Sequence, residues 1–195
     1  MEAVILCGGQ SSRMGRNKAF LLVEGRPLIE RQIEALRPLF DRILLATPSP
    51  AEYEHLGLDV AAEAWPGRGS MVGIYSGLRA VTGDAAFFVA CDMPFLNTPL
   101  VRFMVALSPG NDVVVPRSPR GLEPAHAIFS KRCLGPMEAQ MAQGDFKIIH
   151  FFPQVVVREV TEAEVRRCDS SGLALVNINT PGEYARFSFG DANIR

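Results

Sequence analysis

Several short stretches of this chain are apolar position after position instead of at every second residue. They are "AVILC" at 3–7, "RILLAT" at 42–47, "AAFFVAC" at 85–91 and "DVVVP" at 112–116. A strand with one wet face alternates, whereas a strand covered on both faces does not, so these runs predict strands buried in a parallel sheet. Between them, apolar residues return at helical spacing. Ile29, Ile33, Leu36 and Phe40 follow a first-turn Pro27, and Leu100, Met104 and Leu107 follow Pro99. Residues 67–81 read as a glycine-rich start to another helix, with Ser70 as its expected N-cap. This βαβα alternation predicts a three-layer α/β/α, Rossmann-like fold with a mostly parallel sheet.

The remaining segments are less regular. "LDVAAE" (58–63) reads as a short strand, and "EPAHAIF" (123–129) and "QVVVREV" (154–160) as strands of antiparallel sense around a helix near 131–143. "LALVNIN" (173–179) reads as a last strand, before a helix opened by Thr180, Pro181 and Glu183 in capping-box spacing. No repeat, charge block or linker divides the chain, so one domain over 1–195 is expected.

A formal net charge of −1 argues against a nucleic-acid partner or an anionic membrane surface. No apolar run has bilayer-spanning length, and the N-terminus goes straight into a strand with no basic n-region or cleavage site, so no leader is expected. Cys7, Cys91, Cys133 and Cys168 stand far apart without metal-ligand spacing, and read as reduced thiols of a cytoplasmic protein.

The chemistry concentrates in "GGQSSRMGRNK" (8–18), directly behind the first strand. Ligands of open α/β sheets bind beyond the carboxyl ends of the strands, where this loop must lie. Gly8 and Gly9 let backbone N–H groups approach a phosphate, Arg13 offers a planar fork and Lys18 a point charge. Together they suit a triphosphate, although a solvated turn would use the same residue types. The P-loop is excluded because Gly15 is followed by Arg16 and Asn17, and GxGxxG is absent. Asp92 falls just past the strand at 85–91, on the same edge. A lone carboxylate suffices for Mg2+ shared with phosphates, while Asp also commonly begins a turn. His126, on an apolar strand, reads as a core residue; Phe151 and Phe152 read as core, and His55 and His150 carry no assignment. Cys7 and Cys91 read as small packing residues.

"LCGGQSSRMGRNK" resembles the L-x-G-G-x-S-x-R-M-G-x-x-K loop of nucleotidyltransferases, and "ACDMP" (90–94) and "VNINTPGEYAR" (176–186) extend the likeness to the last helix. Within that superfamily the chain is similar to the molybdenum cofactor guanylyltransferases. The resemblance implies a nucleotide-diphospho-sugar transferase-like fold, with an N-terminal part for GTP and Mg2+ and a C-terminal part for the acceptor. It implies transfer of GMP from GTP to the terminal phosphate of molybdopterin, with loss of pyrophosphate. Arg13 and Lys18 would offset phosphate charge, and Asp92 would hold Mg2+ and contact the nucleotide. Leu6, Cys7, Gly8 and Gly9 would line the GTP site. Glu63 stands where the family has an Asp on the nucleotide, and reads equally as a solvated loop carboxylate. Asn17 replaces the Asp that often precedes the family lysine. Asn177 and Asn179, one residue apart on the expected last strand, would face molybdopterin together; both also suit backbone capping. Proteins that mature molybdoenzymes are implied as partners. The same loop would serve CTP with molybdopterin, or a triphosphate with a sugar phosphate, and a silent nucleotide-binding carrier is the reading from another class.

Overall fold

The computed structural model describes residues 1–8, 17–67 and 69–188. Strands β1 (Glu2–Leu6), β2 (Leu22–Val23), β3 (Arg26–Pro27), β4 (Ile43–Ala46) and β5 (Asp59–Val60) are followed by β6 (Ala85–Ala90), β7 (Val113–Ser118), β8 (Gly121–Leu122), β9 (His126–Ser130) and β10 (Val157–Val160). The helices are α1 (Leu28–Leu36), α2 (Ser70–Ala80), α3 (Thr98–Leu107), α4 (Leu134–Ala142), α5 (Glu162–Cys168) and α6 (Pro181–Ser188). The main sheet runs β10-β7-β9-β6-β1-β4-β5, with β8 hairpinned on β7, and β2 pairs only with β3.

All five residues of β1 are buried, because this strand has a parallel neighbour on either side and a helical layer on each face. Ala3 and Ile5 point into the layer that holds Ile29, Ile33, Leu36, Leu100, Met104 and Val165. Val4 and Leu6 point into the opposite one, with Met71, Ile74, Leu78, Met137 and Met141. Hence α1, α3 and α5 cover one face and α2 and α4 the other, the three layers expected. The approach of α2 is close: a Cβ on Gly77 would lie 2.8 Å from both Phe88 Cε1 and Val4 Cγ1.

The antiparallel element expected in the C-terminal half is β9, which runs against both β6 and β7. Residues 157–160 instead join the parallel set beside β7. Helix α4 and the 3-10 segment Ile148–Gln154 pack on each other and return the chain to the end of the sheet it left, so the next strand opposes β9.

Residues 173–179 form no strand, contrary to their apolar reading. Asp169 is buried and caps this turn, accepting from Ser171 N at 3.1 Å and Ala174 N at 2.7 Å. Arg120 Nη2 holds Leu175 O at 3.1 Å. The chain therefore crosses the strand ends instead of extending the sheet, and its apolar residues Ala174, Leu175 and Ile178 are buried there. Helix α5 was not expected, yet Thr161 and Glu164 form a reciprocal capping box at its start. Ser70 is the first helical residue of α2 and not its cap. Gly69 occupies that position at φ 127, a conformation that a β-carbon would strain. The capping box of α6 is as expected: Glu183 N donates to Thr180 Oγ1 at 3.1 Å and Thr180 N to Glu183 Oε2 at 2.9 Å.

Candidate active site

Three chain segments meet at the carboxyl edge of β1 and β6. The first is the 3-10 turn Lys18–Phe20, capped by Asn17 Oδ1 accepting from Ala19 N at 3.1 Å. The second is the turn after β6, which carries Asp92, and the third is the crossing segment 176–180. Lys18 Nζ joins them, 3.1 Å from Asp92 Oδ2 and 2.8 Å from Asn179 Oδ1. Both members of the ion pair are largely shielded, at 17% and 18% side-chain exposure. Their attraction is therefore weakly screened, while each keeps an opening to a ligand.

Asn17 is more than a substitute for an acid. Its Nδ2 donates to Glu52 Oε2 at 2.7 Å and to Tyr53 OH at 2.8 Å. An aspartate would lack those N–H groups and would set a second carboxylate against Glu52. The amide suits this neighbourhood and fixes the base of the Lys18 turn.

The third segment is held by its own helix. Glu183 Oε2 accepts from Asn179 N at 2.7 Å, and that bond with the one from Thr180 N keeps its carboxyl below the ordinary carboxylate value. Ile178 N donates to Asp92 O at 2.9 Å, tying the segment to the Asp92 turn. Asn179 thus reaches Lys18, whereas Asn177 Oδ1 is buried and receives no hydrogen bond from the described residues. The two asparagines do not share a strand face, because there is no strand.

A cleft of ≈ 320 Å³ opens between the ends of β1 and β4 and the first turns of α2, and is joined to the Asp92 turn through Leu6, which lines it and accepts from Cys91 N. Leu6, Gly8, Ala61, Glu63, Gly73 and Ser76 are among its walls. Ser76 Oγ accepts from Ala64 N at 3.0 Å, which fastens the loop behind Glu63, itself exposed on the rim. Sequence reasoning missed the α2 wall, although the small residues Gly69, Gly73 and Ser76 recur there at helical spacing, a pattern that marks close approach. Gly9 and Arg13 lie outside the described residues.

Cys7 points away from the cleft into the α1 layer, and its N–H donates to Ala46 O at 2.8 Å. A hydrogen bond with Cys91 and burial hold its thiol well above the ordinary value, which suits packing and not nucleophilic attack. His126 is a core residue: fully buried, edge-on to Phe87 at 5.1 Å and lowered to about 4 by desolvation. His150 pairs with Asp145 on the surface, and Phe151 packs against Phe129 and Phe152.

Among the described residues no group of three or more His, Cys, Asp or Glu could cage a metal. Asp92 offers one hard carboxylate, partly exposed at this edge. That matches Mg2+, which takes one or two carboxylates and completes its octahedron with phosphate oxygens and water. The donor set therefore fits a cation arriving with a triphosphate and does not fit a resident ion.

Residues 3–159 match the family described as the MobA-like NTP transferase domain. The chain is 34% identical over 185 residues to the molybdenum cofactor guanylyltransferase of Desulfosudis oleivorans, covering 94% of this chain and 92% of that one. It is 37% identical over 188 residues to the probable molybdenum cofactor guanylyltransferase of Clostridium perfringens, covering 94% and 93%. In three dimensions it superposes with a TM-score of 0.84 on molybdopterin-guanine dinucleotide biosynthesis protein A of Archaeoglobus fulgidus, at 24% identity and coverage of 96% and 97%. A cytidylyltransferase of Thermus thermophilus, at TM-score 0.65, 18% identity and coverage of 95% and 96%, shares the same mostly parallel α/β/α fold. The family match takes in β1, the Lys18 turn, the cleft and Asp92, and the relatives extend it across the asparagine segment: the chain belongs to the MobA-like NTP transferase family.

Proposed function

We propose that this chain transfers GMP from GTP to the terminal phosphate of molybdopterin, making the guanine dinucleotide form of the cofactor and releasing pyrophosphate. One observation carries the reading: the Lys18 ammonium sits between Asp92 and Asn179, which we take as the nucleotide and acceptor sides. A phosphate oxygen of the acceptor attacks the α-phosphorus of GTP; the new O–P bond forms as the bond to the β-phosphate oxygen breaks, and pyrophosphate leaves with that electron pair. No covalent protein intermediate is needed, since such transfers depend on positioning and charge stabilisation.

Lys18 and Arg13 offset charge on the phosphates, and Asp92 holds Mg2+. When bound, the ion supplies Lewis-acid neutralisation of the triphosphate. The ≈ 320 Å³ cleft takes the base and ribose, with Glu63 at its rim facing the guanine edge. Asn177 and Asn179 meet the pterin. The whole chain acts as one nucleotidyltransferase domain, N-terminal part for GTP and C-terminal part for acceptor, in the cytoplasm, and hands its product to proteins that mature molybdoenzymes. Relatives at 34–37% identity named as guanylyltransferases support this over CTP or sugar-phosphate chemistry.

Calorimetric binding of GTP, CTP, ATP and UTP with Mg2+, followed by turnover with molybdopterin, tests the reading. GTP preference with pyrophosphate release supports it; CTP or UTP preference overturns the substrate, and tight binding without turnover overturns the enzyme. Asp92→Ala should lower turnover about a thousand-fold, roughly 4 kcal/mol in the barrier. Retained Mg2+-dependent turnover in that variant would remove Asp92 from the metal.

A further inference from the structure

Gln32 breaks the apolar face of α1. It is fully buried among Ile29, Ile33 and Leu36, where a hydrocarbon side chain would complete the packing. Its Nε2 spends both N–H groups on backbone, donating to Ala90 O at 2.7 Å and to Met93 O at 2.9 Å. Those two carbonyls bracket the turn that carries Asp92. The turn is also held by Cys91 N to Leu6 O, Met93 N to Ala90 O, Ala90 N to Ala125 O, Ile178 N to Asp92 O and the Lys18–Asp92 pair. One buried amide therefore grips the turn from below, while the asparagine segment hangs from its top.

We propose that Gln32 is a positioning residue for guanylyl transfer: its amide sets where the Asp92 carboxylate stands against Lys18 and, through the Asp92 O to Ile178 N bond, where Asn179 stands. The proposal rests on the roles given above to Asp92 and Asn179. A buried amide that donates twice to one turn fixes both the turn's height above the helix and its tilt, and an apolar side chain of the same volume fixes neither. Partners that orient a metal-binding carboxylate typically matter 10–100-fold, roughly, in affinity or activity.

The test compares wild type with Gln32→Met, which keeps volume and removes the donors, and Gln32→Glu, which donates only when protonated. Gln32→Met should lower kcat about 10–100-fold and raise the Mg2+ concentration for half-maximal rate, with KM for GTP little changed. Amide exchange at Ile178 should quicken while amides of β1 stay protected. In Gln32→Glu, activity relative to wild type should climb as pH falls and the carboxyl gains its proton.

Wild-type kcat, Mg2+ response and Ile178 exchange in Gln32→Met would overturn the proposal. So would a loss spread equally over KM and Mg2+-independent steps. Should Gln32→Met fail to fold, a pH-independent activity ratio in Gln32→Glu overturns it equally. Asp92→Ala, assayed alongside, separates the two ideas. If it keeps Mg2+-dependent turnover, the Asp92 reading fails and takes this proposal with it; if it is inactive while Gln32→Met matches wild type, only the proposal falls.

Discussion

The centre of the sheet and the segment from 161 to 188 are held together by different physics. Around β1, β4 and β6 nearly every contact is hydrocarbon on hydrocarbon, with Ala3, Ile5, Phe87 and Val89 facing one helical layer and Val4, Leu6 and Phe88 the other. From 161 onward a few buried residues, Val165, Ala174, Leu175 and Ile178, are supplemented by point contacts: the Thr161–Glu164 box, the Asp169 turn, the Ile178 N to Asp92 O bond and the Thr180–Glu183 box. In the proposed function the dry region supplies a stiff edge for the nucleotide. The polar one swings a thin strip of chain across that edge and stops it at chosen atoms. A site for two substrates needs both, because packing alone sets elements about 10 Å apart and cannot place single side chains.

The sharpest way to break this contrast is to damage the dry region. Gly77→Val would push carbon into Phe88 and Val4, already at 2.8 Å from a bare Cβ, and should cost about 3 kcal/mol in denaturant unfolding. A much smaller loss would mean that α2 can slide, and that the centre is less stiff than its packing implies.

A second probe uses the one buried histidine of the same region. His126, at about 4 when folded against the ordinary 6.5, stays neutral where the unfolded chain takes a proton. Stability should therefore fall as pH drops from 6.5 towards 4, by about 2 kcal/mol between pH 7 and 5. His126→Phe should flatten that stretch of the stability curve. The carboxylates Glu2, Asp112 and Glu164 act at lower pH, since all are held below their ordinary values in the fold. An unchanged slope in the variant would mean that His126 is protonated inside the core.

The smallest effect should come from the polar region. Asp169→Ala leaves the buried Ala174 N without its acceptor and should cost about 1 kcal/mol of global stability, the lower end for an unpaired buried donor. Its signature should instead be a raised KM for molybdopterin with KM for GTP unchanged. Equal loss for both substrates would erase the distinction between the two regions.

The same division decides what could be read in advance. Runs such as "AAFFVAC" announce a strand covered on both faces because burial acts on every residue at once. The meeting of Lys18 and Asp92 was legible because strand ends in an α/β sheet share one edge. "LALVNIN" misled for the opposite reason: Ala174, Leu175 and Ile178 are buried, as a strand's residues would be, but by a turn that Asp169 and Arg120 tie down. No local pattern reports a bond between residues as far apart as Asp92 and Ile178. Gln32 was silent as well, since one polar residue on an amphipathic helix looks like ordinary tolerance until its two carbonyl partners are seen. The helix at 162–168 was there to be found, in the Thr-x-x-Glu of its capping box.

The bond from Ile178 N to Asp92 O also bears on how such proteins diversify. It is made by main chain on both sides, so any residue but proline at 178 can supply it, and the side chain at 177 can change without loosening the tie to the Asp92 turn. The side chain at 179 has no such freedom, because it also holds Lys18 and, through it, the Asp92 pair. The main chain is in this sense a fixed mount, on which one neighbour is an interchangeable fitting and the other is part of the frame.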